Sequence, residues 1–129
     1  MTREEIEQRL NALLAPYNVV IKFGQDAVED LASCKKEQRE EIIALIIKRG
    51  IKGPLIKPDG LGEPLHGELH GFAKIKPKKL GLRIIYRPLK NGMIRVEVIA
   101  IGPRDKKKVY SMAASRVLEF KKEMSKTRE

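Results

Sequence analysis

Phe72-Ala73-Lys74-Ile75-Lys76, Leu82-Arg83-Ile84-Ile85-Tyr86-Arg87 and Ile94-Arg95-Val96-Glu97-Val98-Ile99-Ala100-Ile101 are three strand-like stretches joined by connections too short for a crossover. Pro77 to Gly81 joins the first two, and a turn around Asn91-Gly92, a strong hairpin signal, joins the second pair. The spacing predicts an antiparallel three-strand meander. With a turn over Lys78 to Gly81, Lys76 falls opposite Arg83 and Phe72 opposite Arg87. Because strand side chains alternate, all of these lie with Lys74 on one face. Cations facing a core would be very costly, so this face is expected to look outward or into a groove.

Helices are expected around the meander. Thr2-Arg3-Glu4-Glu5 is a capping box, and Ile6, Leu10, Leu13 and Leu14 follow on one face of a helix over residues 2 to 14 that Pro16 stops. Val19 to Phe23 reads as a strand ending at Gly24. A helix capped by Asp26 runs to about Lys35, and a second covers Glu37 to Arg49, stopped by Gly50. Residues 50 to 70, with five Gly and three Pro, form an irregular connection. The last helix is expected from Asp105 to Met124, with 125–129 as a frayed tail. These elements make one α+β domain over 1–129, a small antiparallel sheet with an N-terminal helical hairpin on one face and the C-terminal helix at its edge.

The chain has 129 residues and a net charge of +10. Between Gly71 and Tyr110 twelve Lys or Arg residues meet two acids, Glu97 and Asp105, while fifteen cations balance fifteen acids elsewhere. Charge so concentrated points to a polyanionic partner. One cysteine, Cys34, excludes an internal disulfide, and no apolar run approaches a membrane span or a secretory leader, so the expected compartment is the cytoplasm.

Cleavage of RNA by its own 2′-hydroxyl needs a base, positive charge for the crowded phosphate and an acid for the leaving oxygen. Lys76, crowded by Lys74 and Arg83, is the candidate base. Arg83 and Arg104 offer planar forks to phosphate oxygens, and Tyr110 can stack on the nucleotide or supply a proton. Lys78, Lys79, Arg87, Lys106, Lys107 and Lys108 are candidate RNA-binding residues around them. No carboxylate cluster suited to a metal stands in this segment, and no cofactor is called for.

The pattern Lys74-Ile75-Lys76, Arg83-Ile84-Ile85-Tyr86, Val98 to Asp105 and Val109-Tyr110, followed by Ala113 and Arg116, resembles the RelE branch of the RelE/ParE toxin superfamily, as does the upstream Pro64 to Gly71. The resemblance spans residues 18–118 as a core in element order and leaves 1–16 as an extra N-terminal helix. It implies a RelE-like fold and the toxin of a type II toxin–antitoxin system, a metal-free, ribosome-dependent mRNA endoribonuclease restrained by a cognate antitoxin. It further implies that Lys74, Lys76, Arg83, Arg104 and Tyr110 form the active site. Leu82 departs from the family pattern, standing where an aromatic is frequent, and so does Pro103, standing where a basic residue is common. The alternative within the superfamily is a ParE-like DNA gyrase inhibitor without nuclease activity. A third reading is an RNA-binding protein without catalysis.

Blander readings stand beside these. Exposed lysines on a sheet are commonly just solvated, Tyr86 reads as core, and Tyr110 borders the Val109-Ala113-Val117 stripe. His66 and His70 flank Gly67, which argues against a helical metal pair, and His70 carries at most an accessory proton-transfer role. Cys34 reads as a partly buried helix residue.

Overall fold

A computed structural model describes residues 2–128. Helices α1 (Arg3–Leu14), α2 (Gln25–Ala32), α3 (Lys36–Lys52) and α4 (Lys108–Lys126) accompany strands β1 (Val19–Phe23), β2 (Glu63–Pro64), β3 (Ala73–Ile75), β4 (Leu82–Asn91) and β5 (Met93–Pro103). The strands form one sheet in the order β1-β5-β4-β3-β2. The meander β3-β4-β5 is antiparallel as expected, and Gly92 at φ 77° makes the hairpin turn. Ala73 pairs with Tyr86, Lys74 with Ile85 and Ile75 with Ile84, the phase expected from a turn over Lys78 to Gly81. The sheet is not wholly antiparallel, because β1 joins β5 in parallel, Val19 opposite Ile94 through Phe23 opposite Val98. Two helices and a long connection separate β1 from the meander, which is enough chain to return it in that sense.

Several helix ends differ from expectation for identifiable reasons. The α2 helix is capped at Gly24 rather than Asp26 and ends at Ala32. Gly50 does not stop α3. It sits buried inside the helix, where a Cβ would come within 3.0 Å of Leu14, and the chain leaves the helix at Gly53, whose φ of 140° suits glycine. On α1, Ile6, Leu10 and Leu14 are buried but Leu13 faces outward.

Both faces of the sheet are covered. Helices α1 to α3 close one core over Ile21, Phe23, Ile84, Tyr86, Val96 and Val98. The C-terminal helix lies on the opposite face rather than at the edge, because Phe72, Ile85, Ile99 and Ala100 make an apolar stripe there that Val109, Ala113, Phe120 and Met124 bury. The face shared with the lysines is thus hydrophobic over much of its length. Arg116 anchors the middle of α4, donating to Asp30 at 2.6 and 3.1 Å and to the Ile99 carbonyl at 3.1 Å. Asp30 holds the Arg116 guanidinium above its ordinary pKa by hydrogen bonding.

Under the end of α4 lies a fully buried carboxylate, Glu97. It accepts hydrogen bonds from Arg87 at 3.0 and 2.8 Å, Arg95 at 2.6 Å and Arg128 at 3.1 and 3.2 Å. Burial pushes the Glu97 pKa upward, but the hydrogen bonds from Arg95, Arg87 and Arg128 outweigh it and the net shift is downward. Arg95 also bonds to Thr127 and to the Met124 carbonyl. The expected frayed tail is therefore corrected: α4 continues to Lys126, and Thr127 and Arg128 are tied to the sheet, while Glu129 lies outside the described residues. Arg87 is corrected too. Its guanidinium lies 5.7 Å from the Phe72 ring and 5.8 Å from the Phe120 ring, so it is spent on the core and not presented to RNA.

The outer edge of β1 carries an additional device. The Asn11 amide oxygen accepts the Ile21 N–H at 2.7 Å and its nitrogen donates to the Ile21 carbonyl at 3.3 Å. Glu7 accepts the Phe23 N–H at 2.6 Å. Side chains of α1 thus stand in for a missing strand and blunt an edge that would otherwise recruit one.

Two outcomes follow from these contacts. Glu97→Gln keeps the shape but leaves three guanidiniums without a charge partner, and urea melts at pH 7 should show a loss of about 3 kcal/mol. Because the folded-state pKa is depressed, the Glu97 contribution is complete above the unfolded carboxylate value of ~4.3. It drains away as pH falls through the folded value, so the two proteins should converge in acid. Asn11→Ala should cost about 1 to 3 kcal/mol and increase light scattering on concentration; an unchanged melt and a monodisperse sample would refute the edge role.

Candidate functional site

The residues singled out from sequence reach one end of the sheet from different elements. Lys74 leaves β3 on the α4 face, and Lys76 follows one residue beyond that strand. Arg83 is the second residue of β4, opposite Gly102 of β5, which lies two residues before Arg104. Arg104 is exposed, and its backbone N–H donates to the Gly81 carbonyl at 3.0 Å, which draws the end of β5 to the turn before β4. Tyr110 stands in the first turn of α4, half-buried. Gly102 lets that turn approach, since a Cβ there would lie 3.1 Å from the Met112 sulfur.

Contacts between these side chains are unequal. The Lys74 Nζ lies 5.8 Å from the centre of the Tyr110 ring, so cation and phenol share one wall. Lys76 is exposed, one residue past the last β3–β4 pair, Ile75 with Ile84. The Arg83 guanidinium donates to the Leu82 carbonyl at 2.8 Å. Arg104 borders an open hollow with Gly81, Asp105 and Lys106.

Sequence reading missed an acid here. Glu63, opposite Lys74 in the β2–β3 pair, puts its Oε2 3.0 Å from the Lys76 Nζ and 3.9 Å from the Lys74 Nζ. The hydrogen bond from Lys76 is the main cause of a lowered Glu63 pKa. Lys76 is therefore not surrounded by cations alone, as the sequence suggested. A two-residue strand carries no periodicity to reveal Glu63. Arg49 was missed as well. It reaches from α3 to the Lys74 carbonyl at 3.3 Å and to the Tyr86 hydroxyl at 3.0 Å, buttressing β3 from the opposite face.

The remaining candidates divide. Lys78 and Lys79 are exposed on the β3–β4 turn. Lys106, Lys107 and Lys108 are exposed too, but the α-helix begins only at Lys108. Lys106 and Lys107 adopt left-handed backbone at φ 53° and 57°, a strain of about 1 kcal/mol each. Tyr86 is core, its hydroxyl donating to the Pro54 carbonyl at 2.7 Å. His66 and His70 are exposed, and among the described residues no group of three His, Cys, Asp or Glu is disposed to hold a metal. Cys34 is half-buried, its thiol pushed upward by burial and by Asp30.

Glu63 competes with any anion for both lysines, so Glu63→Gln should tighten binding of a non-cleavable RNA analogue several-fold at neutral pH, measured by fluorescence anisotropy. Because the Glu63 pKa is lowered, wild type should approach the variant only below the ordinary carboxylate range of ~4.3. Convergence already near pH 6 would contradict the ion pair.

No family model matches the sequence, and no curated protein matches it. Solved structures do. A double-arginine mutant of E. coli toxin RelE in the free state is 24% identical with a TM-score of 0.57, covering 75% of this chain and 95% of its own. The same mutant in complex with an antitoxin RelB peptide is 24% identical with a TM-score of 0.54, covering 72% and 90%. The YoeB/ParE toxin from Agrobacterium tumefaciens is 22% identical with a TM-score of 0.51, covering 65% and 97%. The mixed five-stranded sheet with its helices on both faces is the fold that these RelE and YoeB/ParE toxins share.

Proposed function

We propose that this protein is the toxin of a type II toxin–antitoxin pair and cuts mRNA on the ribosome by metal-free attack of a ribose 2′-hydroxyl on the adjacent phosphodiester. The observation that supports this best is the arrival of Lys74, Lys76, Arg83, Arg104 and Tyr110 at one end of the sheet from three strands and a helix. In this reading Arg83 and Arg104 hold the non-bridging oxygens, and Lys74 adds charge while its contact with Tyr110 fixes the ring that orients the nucleotide. Lys76 takes the 2′-hydroxyl proton. In the free protein Lys76 is the cation of an ion pair with Glu63, so this role requires the pair to open and the ammonium to give its proton to water before the neutral amine accepts that of the 2′-hydroxyl, the departing 5′-oxygen taking a proton from water in turn. An incoming phosphodiester carries the same sign as Glu63 and opens it by competing for both ammonium groups.

An antitoxin is the proposed restraint, binding as an acidic segment that covers the same cations. A relative of this fold is known with an antitoxin peptide. The cytoplasm is the proposed site of action because ribosomes and mRNA are there; among the described residues no helix is long and apolar enough to cross a membrane.

An assay with purified ribosomes and a defined mRNA tests the reading. Cuts should require ribosomes, and Lys76→Ala and Arg104→Ala should each reduce the cleavage rate by about 100-fold or more. Intact mRNA together with inhibited DNA supercoiling by gyrase would replace the nuclease with the ParE-like alternative.

A further inference from the structure

Beyond the end of the sheet, on the opposite side of β3 from Tyr110, α3 and the β3–β4 turn enclose a cleft of about 460 Å³. Its floor is Leu45, Leu61 and Ile75. Its walls carry Lys48 and Lys52 from α3 and Lys76, Lys78 and Lys79 from the β3 end and turn, against a single acid, Glu41. Lys48, Lys52, Lys78 and Lys79 are exposed, and among the described residues none has a carboxylate within ion-pair distance. Four unpaired ammonium groups around one hollow repel one another, which favours neither the fold nor the helix. An anionic occupant removes that cost.

We infer that this cleft is a second RNA contact, holding phosphates of a single strand that continues past the scissile one. The inference rests on the nuclease reading for the direction of the strand. Continuity is the first argument: Lys76 belongs to both the candidate site and the cleft, so a strand that crosses Lys74 and bends round the end of β3 at Lys76 enters it. Spacing is the second. Lys48 and Lys52 are one helical turn apart, about 6 Å along α3, comparable to one nucleotide of an extended strand. The third is the chemistry of the floor. Three aliphatic side chains accept a sugar face but offer no aromatic surface for base stacking, so the contact is to backbone and blind to sequence. An acidic protein segment is the competing occupant, and the continuity through Lys76 favours RNA over it.

Fluorescence anisotropy with a labelled 12-nucleotide uridine strand, titrated with salt, tests this. Lys48→Ala, Lys52→Ala and Lys78→Ala combined should flatten the slope of log affinity against log salt by about 2, since each lost phosphate contact removes ~0.7. A control triple of equal charge, Lys36→Ala, Lys121→Ala and Lys126→Ala, should leave the slope unchanged. All three proteins should melt alike, since every substituted lysine is exposed. Equal slopes for the cleft triple and wild type, or equal losses in both triples, would overturn the inference. So would loss of binding to a glutamate 12-mer with RNA binding intact, which would assign the cleft to an acidic protein. The two readings fail separately: ribosomal cleavage with an unaffected cleft triple removes only the cleft, and a cleft-dependent slope without cleavage removes only the nuclease.

Discussion

The buried Glu97 carboxylate is the constraint on which the arrangement of α4 rests. A lone charge in that position would be prohibitive, and three guanidiniums from β4, β5 and the C-terminal tail make it tolerable. In return the tail of α4 is fastened to the sheet, Phe120 seats against Phe72 at 6.0 Å, and Arg116 locks onto Asp30. With the helix held along its length, its first turn has one place to go. That place puts Tyr110 against Lys74, so an electrostatic knot at one end of α4 sets the geometry at the other.

Coverage of the sheet then decides where cations remain available. Helices α1 to α3 occupy one face, α4 occupies most of the second, and α1 side chains close the β1 edge. What stays open is the rim where β3 ends, β4 begins and β5 runs out. The positive charge concentrated in that part of the sequence is divided by this architecture: Arg87 and Arg95 serve the interior, while Lys76, Lys78, Lys79, Arg104 and Lys106 to Lys108 remain exposed.

The meander and its register were legible because alternation and a strong turn dipeptide specify which residues face one another, and the ladder runs through Lys74 opposite Ile85 in that phase. The parallel partner of β1 was not legible, since nothing local tells a strand which edge it will join. Gly50 misled because a glycine can mark a helix end or a close helix contact, and only Leu14, 36 positions away, distinguishes the two. Arg87 misled for a related reason: charge counts cannot tell a solvated cation from one spoken for. A clue was available in Glu97, an acid two residues after Arg95 and hence on the same face within a strand otherwise made of apolar residues. Of the site, the cations and Tyr110 could be named in advance, but the carboxylate of Glu63 between two lysines belongs to tertiary structure alone.

The register of β4 and β5 changes by one between Ile85 and Tyr86, so that Ile99 is an extra residue in the last strand. Upstream of it the α4 face holds the odd-numbered Arg95 and Glu97; downstream it holds the even-numbered Ala100 and Gly102, and the chain leaves toward Arg104 in that phase. The bulge therefore absorbs the change of parity, keeping the interior charge cluster at one end of the strand and the rim that leads to Arg104 at the other on one face. Were Ile99 instead taken up into unbroken alternation, Ala100 and Gly102 would turn to the face covered by α1 to α3 while Arg95 and Glu97 stayed under α4, and the two halves would aim at opposite sides of the molecule.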